Sequence, residues 1–274
     1  MSDPDGQLAR IAAALERLIP AAPAAADWNG APAYVWDGSA RAVDRIVAPA
    51  LPLLRGIDAQ KDIVTTNVAR LAAGHAAHDM LLWGSRGMGK SALLRSAVVA
   101  AQATDPARLA LVQVAADALA GLAGLFATLG KLERRFLVFI DDLGFEDGDS
   151  AGPRALRSWL EGGVEARPGN VRLAVTSNRR AIVARHLGEQ DDPINPRDAV
   201  DDRLALADRF GLSIGFHNCT QDDYLSIIAG YCTDLGLPFD AHDALEWAKR
   251  RGARSGRVAW HYVTEVAGRA GRTL

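Results

Sequence analysis

The chain has 274 residues, enough for one large domain or a core with a satellite, and its 49% hydrophobic and 23% charged content is that of an ordinary globular protein. A formal net charge of −2 excludes a global electrostatic pull toward nucleic acid or an anionic membrane, and the apolar runs are too short to span a bilayer. The two cysteines, Cys219 and Cys232, have no metal-ligand spacing, and the start Met1-Ser2-Asp3-Pro4-Asp5 lacks a basic n-region, so a reduced, cytoplasmic protein with no membrane partner is expected.

Leu8, Ile11, Ala12, Leu15, Leu18 and Ile19 recur at helical spacing and predict an amphipathic first helix, followed by a Pro/Ala linker over residues 20–26. Trp28, Tyr34 and Trp36 read as residues that pack this N-terminal arm, residues 1–50, onto the main domain. From about Leu51 the pattern becomes α/β. Apolar runs at 80–83, 109–114, 136–140, 171–175 and 212–216 predict five fully buried strands, with helical patterns at 92–101, 119–132 and 154–164 between them. Such alternation predicts a three-layer αβα core with a five-stranded parallel sheet over residues 51–217. Helical patterns at 221–232, 241–250 and 258–267 then predict a small helical lid over residues 218–274.

Between the strand at 80–83 and the helix after it runs Gly84-Ser85-Arg86-Gly87-Met88-Gly89-Lys90-Ser91, which fills every fixed position of G-x-x-x-x-G-K-[ST]. Strand, glycine-rich loop and helix together make a phosphate cradle: glycines let backbone N–H groups approach phosphate oxygens, and the helix N-terminus adds partial positive charge. Lys90 is expected on the β- and γ-phosphates and Ser91 on Mg²⁺, so the chain is expected to bind a nucleoside triphosphate. The strand at 136–140 ends in Asp141-Asp142, placing one carboxylate to hold Mg²⁺ through its waters and the next to orient or deprotonate the attacking water. A further strand ends in Thr176-Ser177-Asn178, where Asn178 can hydrogen-bond the γ-phosphate or that water.

This order of motifs, continued by Leu206-Ala207-Asp208-Arg209-Phe210-Gly211 and Gly252-Ala253-Arg254-Ser255-Gly256-Arg257, resembles the AAA+ ATPases from about Leu51 to the end. The similarity is closest to a bacterial family of single-module AAA+ ATPases catalogued as a domain of unknown function. It is carried by residues 140–146, 160–168 and Thr176-Ser177-Asn178-Arg179-Arg180. The resemblance implies ATP and Mg²⁺ as ligands, Asp141 as magnesium-organising acid, Asn178 as first sensor and Arg257 as second sensor, with Arg254 the alternative. It implies Arg209 as an arginine finger acting in the neighbouring subunit of a nucleotide-dependent homo-oligomer, and Ile57 as the contact for adenine. Most AAA+ proteins carry glutamate where this chain has Asp142, so turnover is expected to range from slow switching to motor cycling, with Glu146 a candidate assistant.

The cations Arg179, Arg180, Arg185, Lys249, Arg250 and Arg251 read as solvated loop and lid chemistry, so nucleic acid is not the favoured partner; an unknown protein client is. The acidic loop 146–150 lacks EF-hand spacing, and the six histidines form no metal pair. Two other classes compete. A DNA-associated loader or initiator-like ATP switch fits the aspartate pair but not the acidic balance. A small-molecule phosphotransferase has no use for Arg209 or Asn178.

Overall fold

The structure, a computed structural model, is described over residues 26–143, 160, 168–178 and 209–274. A hairpin of β1 (Ala33–Trp36) and β2 (Ala40–Val43) precedes α1 (Asp58–Ala72), β3 (Met80–Gly84) and α2 (Lys90–Gln102). Then come β4 (Leu109–Val114), α3 (Leu122–Leu129), β5 (Arg135–Ile140), β6 (Val171–Ser177) and β7 (Leu212–Phe216). Three helices follow: α4 (Gln221–Leu235), α5 (Ala241–Arg251) and α6 (Gly256–Arg269). The expected N-terminal helix, the linker, the helix at 154–164, the acidic loop with Glu146, and Arg179, Arg180, Arg185 and His186 lie outside the described residues.

One sheet runs in the order β2-β1-β4-β5-β6-β3-β7, with β1 and β2 antiparallel and every other pairing parallel. It therefore has seven strands, not the expected five. The four strands β4, β5, β6 and β3 are buried on both faces and read as apolar runs, while β7, the edge strand opposite β2, leaves Ser213 exposed. The added hairpin is different: β1 buries only Ala33 and Tyr34, and β2, Ala40-Arg41-Ala42-Val43, is an edge strand with Arg41 and Ala42 exposed. Neither has a run long enough to announce a strand. Trp28 and Tyr34 nevertheless sink into the core, their rings 4.8 Å apart, with Trp28 edge-on to Phe136 at 6.0 Å. The Tyr34 hydroxyl, forced inside, donates to the Asp27 carbonyl at 2.6 Å and accepts from the Ala31 amide at 3.1 Å.

Helices cover both faces. Val64, Val68 and Leu71 of α1 join Leu93, Leu94 and Val98 of α2 on one side, and Leu122, Leu125, Phe126 and Leu129 of α3 lie on the other. The helix expected over 119–132 is shorter than its pattern: a 3₁₀ turn runs from Ala116 to Gly121, and α3 ends with Gly130 as its cap. In the C-terminal part, α4 opens on a capping box in which Thr220 and Asp223 each accept the other's backbone N–H at 3.1 Å. Asp240 and Ser255 cap α5 and α6 in the same spirit, while Gly236 and Gly252, both at positive φ, end α4 and α5. No helix among the described residues is long and apolar enough to cross a membrane.

Strand order is what assembles a site. β3 lies between β6 and β7, and β5 lies on the far side of β6, so the loops leaving β3, β5 and β6 open at one sheet edge. Register matches: Trp83 pairs with Ser177 and Ile140 with Val175.

Gly84, the last residue of β3, sits at φ 123, and a Cβ there would fall 2.1 Å from the Phe216 carbonyl oxygen. Gly84→Ala is expected to destabilise the fold by roughly 3 kcal/mol, combining backbone strain with displacement of β7. By contrast Gly124→Ala, at a helical position with nothing within 4 Å, is expected to be neutral or stabilising by up to about 1 kcal/mol. Denaturant melts of the two variants against wild type measure both.

Candidate functional site

The loop from Gly84 to Gly89 wraps the N-terminus of α2, whose first residues are Lys90 and Ser91. Lys90 is 5% exposed, and its Nζ donates to the carbonyls of Gly84 and Ser85, each at 2.9 Å, and to Asn178 Oδ1 at 3.0 Å. All three ammonium protons are thus held, which fixes a flexible point charge at the middle of the loop. Burial pulls the Lys90 pKa below its ordinary value; Asp142 and Asp141 oppose that, and Arg257 and Arg86 reinforce it.

Ser91 Oγ donates to Asp141 Oδ1 at 2.5 Å, and Thr176 Oγ1 donates to the same oxygen at 2.6 Å. Thr176 also accepts the Asp142 amide at 2.8 Å, so one β6 hydroxyl ties both carboxylates of the β5 end to the neighbouring strand. Asp142 has φ 53, the one non-glycine residue at positive φ among those described. Aspartate is several-fold enriched in that region, which gives a backbone reason for the shorter acid at position 142. Its carboxylate accepts from Asn178 Nδ2 through Oδ1 and faces Arg86 at 3.5 Å through Oδ2. The Arg86 pair is largely exposed and contributes little to stability.

These groups share one cavity of about 770 Å³, lined also by Gly87, Met88, Gly89, Ile57 and Arg257. The N-terminus of α6 reaches it directly: the Arg257 amide donates to the Gly87 carbonyl at 3.2 Å, and Ser255 lies so near that a Cβ on Gly87 would meet its Oγ at 2.9 Å. Arg254 instead donates to Gln221 at 3.4 Å and does not line the cavity. Ile57 is buried, and the cavity lining also has an apolar part made by Leu53, Leu54, Ile227, Tyr231 and Trp260. Tyr231 and Trp260 stack edge-on at 5.0 Å. Of these only Ile57 is suggested by the sequence, because Tyr231 and Trp260 sit on two helices, α4 and α6, that meet only after folding. Thr176 was also passed over as part of the site; its position at the strand end beside Asn178 was the available signal.

Ser85 is held from two sides, its amide donating to Phe216 at 3.0 Å and its hydroxyl to Asn218 at 2.5 Å. Arg209 is not brought to this cavity. It precedes β7, whose first residue pairs with Met80 and whose last pairs with Gly84, so it stands at the opposite sheet edge. Five strand residues at about 3.3 Å each put it roughly 15 Å or more from the loop, beyond the reach of an arginine side chain. The hard oxygens of Ser91 and Asp141 suit Mg²⁺, which takes one or two protein oxygens and completes its shell with phosphate and water. No cluster of three or more His, Cys, Asp or Glu that could hold a metal occurs among the described residues.

A family model described as "Protein of unknown function (DUF815)" matches residues 29–270. No curated protein sequence matches the chain. Among solved structures, the Thermotoga maritima RuvB Holliday junction branch migration motor is similar with a TM-score of 0.54 at 17% identity, over 83% of this chain and 68% of that one. The Aeropyrum pernix ORC1 protein, solved in complex with DNA, is similar with a TM-score of 0.55 at 16% identity, over 85% of this chain and 68% of that one. These likenesses are likenesses of fold.

Proposed function

We propose that this chain, which belongs to the DUF815 family and has the AAA+ fold, is an ATPase that hydrolyses Mg·ATP at a site completed by a neighbouring copy of itself. One observation carries the reading: Lys90, Ser91, Asp141, Asp142, Asn178 and Arg257 line a single cavity whose lining also includes apolar and aromatic side chains. Its polar part suits a triphosphate and its apolar part a base.

In this reading backbone N–H groups of residues 84–91 and the α2 N-terminus receive the β- and γ-phosphates, and Lys90 neutralises them. Ser91 and, through water, Asp141 would hold Mg²⁺, which would supply charge neutralisation to the triphosphate. Asp142 accepts a proton from the attacking water, while Asn178, bonded to both Lys90 and Asp142, fixes the direction of attack. Arg257 faces the γ-phosphate, so residues 218–274 act as a lid that senses nucleotide state. Residues 51–217, joined by the β1–β2 hairpin that extends their sheet, act as the core. The nucleotide-dependent lid angle is transmitted to a protein client.

The test is steady-state hydrolysis by the full chain beside Asp142→Asn. The variant is expected to keep ATP affinity and to lose about 10²-fold in kcat, the usual worth of a positioned general base. Wild-type turnover by Asp142→Asn would remove Asp142 from its role, and absence of ATP binding by wild type would sink the whole reading. Asp142→Asn held with ATP is then the bait for affinity capture of the client.

A further inference from the structure

Arg95 lines the same cavity, and none of the roles above uses it. It stands on α2 four residues beyond Ser91, beside Val47, Ala48 and Pro49 of the segment that closes the cavity's flank. Ser96 pins that segment, its hydroxyl donating to the Pro49 carbonyl at 2.7 Å. Among the described residues the Arg95 side chain makes no hydrogen bond and no ion pair, and its Nε is buried without a partner. Arg134, the other arginine with such an Nε, has both terminal nitrogens engaged by the carbonyls of Trp28, Pro106 and Leu109. Arg55, also at the cavity, leans on Ser226 at 3.5 Å. A buried guanidinium nitrogen without an acceptor is uncommon enough in folded proteins to call for a specific cause, such as an acceptor that arrives with a ligand.

Helix geometry says where that acceptor sits. Residues four apart share a face, and helical side chains sweep back toward the N-terminus. Four residues rise about 6 Å, a length an extended arginine side chain covers. An arginine side chain extended along that face reaches the level of Ser91 and Ala92, so the interval between the Lys90–Ser91 pair and the apolar lining at Ile57 and Tyr231 lies within its reach. With β- and γ-phosphates on Lys90 and Ser91 and the base against Ile57, the phosphate attached to the sugar occupies that interval.

We infer that Arg95 binds the α-phosphate of the nucleotide, an assignment that rests on the ATP reading of this cavity. The planar guanidinium keeps its charge when half-buried and presents paired donors to the two non-bridging oxygens. Lys90, Arg86 and Arg257 gather at the other end, where their loss separates ATP from ADP. Arg95 meets a group common to both.

The experiment is calorimetric titration of wild type, Arg95→Gln and Arg95→Lys with ATP, ADP, and the two diastereomers of ATP bearing sulfur at a non-bridging α-oxygen. Arg95→Gln is expected to weaken ATP and ADP by the same factor, roughly ten- to hundredfold, the worth of a hydrogen bond to a charged group. Its preference between the two thio diastereomers is expected to narrow, Arg95→Lys to recover part of the loss, and the melting temperature of the empty protein to stay unchanged. Unaltered affinity in Arg95→Gln, a loss confined to ATP, or an identical diastereomer ratio in variant and wild type each overturns the assignment while leaving the ATP reading intact. Failure of wild type to bind ATP and ADP overturns both.

Discussion

Arg209→Ala is expected to slow ATP hydrolysis by about 10³–10⁵-fold, the range an arginine finger contributes to phosphoryl transfer, with ATP affinity changed by no more than a few-fold. Its physical basis is placement. Arg209 precedes β7 at the sheet edge away from the cavity, and the whole length of the strand separates it from Gly84. A cation there acts on a triphosphate only if another protomer presents one. The loss should therefore be complementable. Arg209→Ala chains mixed with Lys90→Ala chains are expected to regain part of the activity, because the first supply intact cavities and the second intact arginines. Full activity of Arg209→Ala alone would eliminate the shared site, and a lack of recovery on mixing would place the defect within one chain. Both are read from hydrolysis rates across a series of mixing ratios.

Lys90→Ala is expected to lower kcat/KM by about 10²–10⁴-fold, the equivalent of two charge-assisted contacts to phosphate. The readout that separates this from simple misfolding is ligand-linked melting. ATP at a hundred times its dissociation constant is expected to stabilise wild type by about 2.7 kcal/mol and Lys90→Ala hardly at all. The empty variant is not expected to be crippled, because Lys90 is a desolvated ammonium whose folded pKa lies below its ordinary value. The sign follows from proton counting. Between that lowered value and 10.5 the unfolded chain binds one more proton than the folded chain, so the Lys90 contribution becomes more favourable as pH rises through the window. The cost of burying the charge is fully present below the window. A triphosphate that pairs with the ammonium removes this cost. An ATP-dependent melting shift in Lys90→Ala equal to that of wild type would contradict the assignment.

How much of this was legible from residues alone depended on whether a signal was local. β3, β4, β5 and β6 are buried on both faces, so each carries a largely apolar run that needs no knowledge of neighbours, and the edge strand β7 keeps enough of one in Leu212, Ile214 and Phe216. The phosphate loop is likewise local, eight contiguous residues between a strand and a helix. β1 and β2 were illegible because an edge hairpin of two four-residue strands buries too little to leave a pattern, and Trp28 and Tyr34 looked like an arm until the sheet gave them a place in its core. The apolar part of the cavity was hidden for another reason. Val47, Tyr231 and Trp260 come from three distant segments, and nothing in any one of them marks a shared wall. Thr176 and Arg95 fall between these cases: each stands one or a few residues from a recognised motif, yet what they do depends on which oxygen or which empty space faces them.

The bond between the Arg257 amide and the Gly87 carbonyl joins the closing helix α6 to the middle of the phosphate loop with no intervening residue. Loop conformation and helix orientation are therefore a single mechanical coordinate: a peptide tilt at Gly87 that admits an anion must drag, or release, the first turn of α6. With Ser255 a methyl's width from Gly87, the joint has no slack to absorb such a tilt locally. Displacement at the phosphates would thus act first on the opening turn of α6, and through it on the terminal helices packed against it, where a second protein could read it as leverage.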